Sequence, residues 1–226
     1  MTLATLPPIL ITGATGLVGQ GVLGACLAAP GRSRIVALVR RTVSLGEQVE
    51  TRVLGDFLQA EEQPDAFAGL PLCFYCAGAP PVGTPEAQYR KVTVDTTLAV
   101  ARAWAAANPG GTFFYVSGAF AGTSRWMMAL RVKGEVEQAL QALPERTVML
   151  RPGGVYPVPG TGTRHALLKP LYALGGPLMR LLIRAVPSAM TSNAAIGRAM
   201  IVLARQDAPP PVVECAQINQ LADSLR

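Results

Sequence analysis

Apolar residues in this chain fall in short unbroken runs, punctuated by Gly, Pro, Asn and Asp. The runs predict strands near residues 8–12, 34–39, 50–54, 71–76, 112–117, 146–150 and 211–214. Between them apolar positions recur at the spacing of one helix face, as in Leu17, Val18, Val22, Leu23 and Leu27. Helices are therefore expected near 17–29, 85–107 and 124–143. Strands that are apolar throughout, alternating with helices, predict a parallel sheet covered on both faces, a doubly wound α/β fold. Composition shifts once: after Arg151, Pro and Gly accumulate through residue 163, and an apolar, basic segment follows to about residue 187.

The first strand runs directly into Gly13-Ala14-Thr15-Gly16-Leu17-Val18-Gly19. Glycines at a strand-to-helix turn let the backbone pass close to a diphosphate. The helix that opens there adds unpaired N–H groups and the positive end of its dipole. This makes Gly13, Thr15, Gly16, Leu17 and Val18 candidate cofactor contacts, against the plainer reading of a glycine-rich turn without a ligand. A nicotinamide site that selects NAD usually carries an acidic residue after the second strand. Here stand Arg40 and Arg41, two planar, permanently charged groups suited to a 2′-phosphate, so NADP(H) is the expected cofactor. Two solvated arginines ending a strand are the alternative.

With these two features belong Gly55-Asp56, Cys76-Ala77-Gly78, Tyr115-Val116-Ser117, Arg131-Val132-Lys133-Gly134-Glu135-Val136-Glu137 and Arg151-Pro152-Gly153. Together they resemble the extended and atypical short-chain dehydrogenase/reductase superfamily over almost the whole chain. Within it the chain is most similar to small atypical reductases related to the Tat-interacting protein and, more distantly, to NmrA-type NADP sensors. The resemblance implies a single Rossmann domain over residues 1–226, with a small substrate-side cap at about 157–190. It also places Asp56 against the adenine, although a turn residue fits that position equally well. It lets the cofactor's middle pass Ala77 and Gly78, and it adds Lys133, Arg151 and Pro152 to the cofactor contacts.

The family's catalytic Tyr and Lys stand four residues apart on one helix, so that both face the nicotinamide ribose. Lys133 has the lysine's place, but Ala129 occupies the tyrosine's. Ser117 is followed by Gly118 where a second serine is common; it either polarises a substrate or caps a turn. Tyr156, Tyr115 and the lone histidine, His165, are the remaining proton donors, with Tyr156 at the mouth of the expected site and Tyr115 in a strand. Arg125 and Trp126, where the fifth helix begins, either line the pocket or pack on the sheet. Two functions follow: an NADP(H)-dependent oxidoreductase acting on a small carbonyl-type substrate with a non-standard acid, or a catalytically silent NADPH sensor.

Length and charge narrow the partners. At 226 residues and 50% hydrophobic, the chain supports one core. The first charged residue is Arg32, yet Pro7-Pro8 and repeated glycines argue against a signal peptide or membrane span, so a soluble cytoplasmic protein is expected. Cys73 and Cys76 lie in a strand that turns them to opposite faces, which disfavours a zinc site or disulfide. From Arg146 to Gln206 there is no Asp or Glu, and the net charge is +6. Leucines interleave with the basic residues there, giving a cap for an anionic or hydrophobic small molecule, or a homodimer contact, in preference to an amphipathic membrane-surface helix that Gly175-Gly176-Pro177 would break. No nucleic-acid motif accompanies the charge.

Overall fold

In the computed structural model, which describes residues 5–31, 33–161 and 186–225, all seven expected strands form one parallel sheet. In chain order the elements are β1 (Ile9–Thr12), α1 (Leu17–Ala28), β2 (Ile35–Val39), β3 (Glu50–Val53), β4 (Leu72–Tyr75), α2 (Glu86–Arg90), α3 (Thr96–Ala107), β5 (Thr112–Val116), α4 (Met128–Gln141) and β6 (Arg146–Arg151). They continue with β7 (Gly154–Tyr156), β8 (Met190–Ser192), α5 (Asn193–Leu203), β9 (Val212–Glu214) and α6 (Cys215–Asp223). The sheet order is β3-β2-β1-β4-β5-β6-β9. The chain moves outward from β1 to β3 and then restarts on β1's other side with β4. That reversal opens a crevice at the carboxyl ends of β1 and β4, where open α/β sheets take their ligands.

Alternation along each strand divides the core in two. Ile9, Ile11, Phe74, Phe114 and Val148 face α1, α5 and α6, while Leu10, Cys73, Tyr75, Phe113, Tyr115 and Met149 face α3 and α4. Cys73 belongs to the second layer and Cys76 packs on the first, the opposite faces expected of them; both are free thiols.

Four features differ from the expected elements. The helix over 85–107 is interrupted by a π turn at Lys91–Asp95. Its extra residue keeps Tyr89, Thr93 and Thr97, spaced by four, on the buried face. The helix expected from 124 begins at Met128, because Ser124 Oγ first accepts the N–H groups of Trp126 and Met127 at 3.2 and 3.1 Å. Strands β7 and β8 pair as a separate parallel ribbon, and α5 and α6 follow it. Finally, α5 packs closely on α1 through glycines: a Cβ on Gly21 would lie 2.4 Å from the Asn193 carbonyl carbon, and one on Gly197 2.7 Å from the Val22 Cα and the Ala25 Cβ. Among the described residues no helix is long and apolar enough to cross a membrane.

Candidate active site

Gly13 ends β1 with φ at +66°. A Cβ there would lie 2.7 Å from the Ala77 nitrogen and from the Cys76 carbonyl atoms, so the turn and the end of β4 are in backbone contact. Thr12 Oγ1 fastens the same junction by accepting from the N–H groups of Cys76 (3.2 Å) and Ala77 (3.3 Å). The turn closes when the Gly16 N–H donates to the Gly13 carbonyl at 2.8 Å. Gly19 is obligatory too, since a Cβ on it would come within 2.0 Å of that carbonyl oxygen. Helix α1 then starts at Leu17 with no side-chain cap and no acidic residue in its first turn, leaving its dipole unopposed. Thr15 contributes its carbonyl, which accepts from Gln20 Nε2 at 3.0 Å. Val18 packs against the core layer on that side. Gly78, past β4, has no described atom within 4 Å of where a side chain would start.

Asn193 is a residue of this region that sequence reasoning missed. Fully buried, it donates through Nδ2 to the Leu17 carbonyl and to Thr161 Oγ1, both at 2.9 Å, and its Oδ1 accepts from the Val158 N–H at 3.1 Å. It ties the loop after β7 to the start of α1. The only local signal is its place after Ser192, which caps α5 by accepting from the Ala195 N–H at 3.1 Å.

Arg40 and Arg41 follow β2, exposed and without an ion pair among the described residues. Asp56 caps the short helix Phe57–Glu62, its Oδ1 accepting from the Leu58 N–H at 3.0 Å. That is the turn role weighed for it.

At the end of β5 the Ser117 hydroxyl is buried with no hydrogen-bond partner among the described residues, while its N–H donates to the Leu150 carbonyl at 2.8 Å. Lys133, on α4, donates from Nζ to the Ser117 carbonyl. Its side chain runs over Gly118, where a Cβ would come within 3.3 Å of Nζ. Burial lowers the ammonium's pKa to about 8, against an upward pull from Glu137. Ala129 sits half-buried one turn earlier on the same helix.

Arg151 ends β6 with its guanidinium held between Glu137 and Glu214. Pro152 is buried, and its carbonyl accepts from the Ala119 N–H at 2.8 Å, joining the β5 and β6 ends. Tyr156 is half-buried in β7. Tyr115 lies in the core beside Tyr75, with ring centroids 6.1 Å apart, and burial drives its phenol well above the ordinary range. Arg125 and Trp126 are exposed, Trp126 to 96%. His165 and most of the cap segment lie outside the described residues.

No family model matches the chain. Among curated proteins it is similar to Protein fmp52-1, mitochondrial, of Aspergillus oryzae, at 33% identity over 153 residues, 63% of each chain. The Aspergillus terreus protein of that name is 30% identical over 167 residues, 70% of this chain and 68% of the relative. In Emericella nidulans the match reaches 65% of the relative, so the chain spans just under two thirds of this protein and of the A. oryzae one. All these relatives carry "mitochondrial" in their names, which overturns the expectation of a cytoplasmic protein. Among solved structures, a Burkholderia cenocepacia short-chain dehydrogenase in complex with NADP superposes with a TM-score of 0.63 at 18% identity, over 100% of this chain and 94% of that one. UDP-glucuronic acid 4-epimerase from Bacillus cereus, in complex with NAD, gives 0.66 at 14% identity, over 91% and 76%. Bordetella bronchiseptica WbmG, in complex with NAD, gives 0.66 at 17% identity, over 98% and 77%. At such identities the likeness is one of fold.

Proposed function

The chain belongs to the Fmp52 family, and on that premise we propose that it binds NADP(H) across the carboxyl ends of its central strands and reduces a small carbonyl-type substrate. The observation that carries this reading is convergence at one end of a single parallel sheet. There the glycine turn after β1, Arg40 and Arg41 after β2, without an ion pair among the described residues, and Lys133 beside Ser117 after β5 all lie at the carboxyl ends of parallel strands. The fold's solved relatives bound to NADP or NAD support it.

In this reading the N–H groups at the start of α1 hold the diphosphate and the two guanidiniums hold the 2′-phosphate. Lys133 donates to the ribose hydroxyls, its ammonium already aimed at the carboxyl end of β5. The Ser117 hydroxyl, buried without a partner among the described residues, is the donor that orients the substrate oxygen, since an unpaired buried polar group gains most from a ligand that completes it. Bound NADPH supplies the hydride. Among the described residues we assign the proton to Tyr156, because position 129 holds an alanine and the Tyr115 phenol is sealed in the core; His165, the other donor that the sequence offers, lies outside them. Ala129 also favours a second reading, a catalytically silent NADPH sensor of NmrA type.

Fluorescence titration with NADPH and NADH, followed by an assay of aldehydes, ketones and quinones, separates the cases. Tight NADPH binding with turnover supports the reductase, and tight binding without turnover supports the sensor. Equal or absent affinity for both nucleotides refutes the NADP(H) assignment.

A further inference from the structure

Glu137 is a buried carboxylate that dinucleotide binding leaves unused. It lies on α4 one turn beyond Lys133 and is 4% exposed. Carboxylates are almost never buried so fully unless paired. The partner is Arg151, whose Nε donates to Oε1 and Oε2 at 3.1 and 3.2 Å and whose Nη2 reaches Oε2 at 2.5 Å. The same guanidinium donates from Nη1 to Glu214 Oε1 at 3.0 Å. Glu214 is itself fixed, because it caps α6 in a reciprocal box with Gln217. A chain of charges thus links α4, β6 and the start of α6, and it occupies the arginine that sequence resemblance gave to the cofactor.

We propose that Glu137, clamped by Arg151 and Glu214, is a positioning residue that keeps the Lys133 ammonium charged and aimed at the carboxyl end of β5. The proposal rests on the reading that Lys133 serves the dinucleotide ribose. Residues four apart on a helix are surface neighbours, so the carboxylate is the nearest anion that α4 offers the lysine. From β5 the lysine meets the Ser117 carbonyl, while Arg151 of β6 and the buried Tyr115 phenol of β5 stand on the Glu137 side. Arg151 alone would cancel Glu137, and Glu214 prevents that: the three charges together leave one net negative charge. Burial pulls the lysine toward its neutral form, and Glu137 opposes the pull.

The chain holds three lysines, Lys91, Lys133 and Lys169, so 13Cε-lysine NMR of the whole protein resolves Lys133 directly, with Lys133→Arg as the assignment control. The expected midpoint near pH 8 should fall by about one pH unit or more in Glu137→Gln and return toward the parent value in Glu137→Asp. Glu214→Gln, a change at a half-exposed site, should lower it by a smaller amount and serves if Glu137→Gln does not fold. An unchanged midpoint in folded Glu137→Gln, or in Glu214→Gln where Glu137→Gln does not fold, overturns the proposal. The alkaline limb of NADPH affinity should move with the midpoint. A midpoint that shifts in a protein that never binds NADPH keeps the Glu137 assignment and removes the cofactor reading instead.

Discussion

The carbon that Gly118 lacks would sit 3.3 Å from the Lys133 ammonium, 3.4 Å from its Cδ and 3.7 Å from its Cε. Gly118 is therefore the floor over which the lysine reaches the Ser117 carbonyl. A single methyl group is tolerable because the atoms it meets belong to a flexible side chain. A branched one is not. Gly118→Ala should bind NADPH almost as the parent does, whereas Gly118→Val should push Lys133 off the Ser117 carbonyl and weaken binding roughly tenfold or more, the loss of about one charged hydrogen bond. Equal affinities for the two variants by fluorescence titration would show that the lysine does not need this path.

The glycines of the first turn should separate into fold and ligand residues. Gly13 combines a left-handed φ of +66° with a 2.7 Å approach to the backbone of β4, so Gly13→Ala should destabilise the whole protein, by roughly 2–4 kcal/mol. Gly16 has an ordinary φ of −83°, and a Cβ on it would meet, among the described residues, only the Gly13 carbonyl, at 3.2 Å. Gly16→Val should therefore fold with a near-parental melting temperature and lose the dinucleotide, because its side chain would stand where the phosphates approach. A folded Gly16→Val that binds NADPH normally would place the phosphate elsewhere.

Arg40 and Arg41 offer the cleanest measure of cofactor choice, since neither holds an acidic partner in the described fold. Replacing both by alanine should weaken NADPH binding by about 1.5–3 kcal/mol for each guanidinium that pairs with the 2′-phosphate, and leave NADH affinity nearly unchanged. Isothermal titration with both nucleotides checks it; parallel losses for the two would deny a 2′-phosphate contact.

The layout of the sheet was legible because most of its strands, such as Ile9–Thr12, Ile35–Val39 and Leu72–Tyr75, are nearly unbroken apolar runs, and the glycine turn because it follows such a run directly. Helix α5 was not, since Ala194, Ile196, Ala199, Met200 and Ile201 show no polar face and Gly197 stands in the middle. That glycine makes sense only against α1, where a Cβ would meet the Val22 backbone and the Ala25 methyl, each at 2.7 Å. Strands β7 and β8 are too short to show a period. At the site, Lys133 and Ser117 followed from motif spacing, but the Glu137–Arg151–Glu214 pairing joins three elements that only the sheet order makes neighbours. Asn193 escaped for the same reason: its partner, the Leu17 carbonyl, is 176 residues away.

Lys133 should also leave a signature in stability. In the unfolded chain it titrates near the usual lysine value, while in the fold burial brings it to about 8. Below pH 8 both states carry the proton and the fold bears the full desolvation cost; between the two values the unfolded chain binds more protons, and stability contributed by this group rises with pH. Lys133→Met removes that dependence. Its gain in melting temperature over the parent should be largest at pH 6–7 and shrink steadily toward pH 10, while NADPH binding is lost throughout. A gain that does not change with pH would mean that Lys133 is not desolvated in the fold.

The last test concerns Ala129, which stands half-buried in the first turn of α4, four residues before Lys133 and on the same face. A tyrosine there would lie beside a cation, which lowers a phenol's pKa and makes it a better proton donor. If the site retains the geometry of a reductase that has lost only its acid, Ala129→Tyr should raise carbonyl reduction with NADPH. If Tyr156 supplies the proton instead, Ala129→Tyr should crowd the pocket and lower turnover, and Tyr156→Phe should reduce it by roughly a hundredfold or more, as removal of a general acid does. Measuring both variants on one panel of aldehydes and ketones, with NADPH affinity determined for each, distinguishes the outcomes. Tight NADPH binding without turnover in the parent and in both variants would refute the reductase assignment and leave the sensor reading.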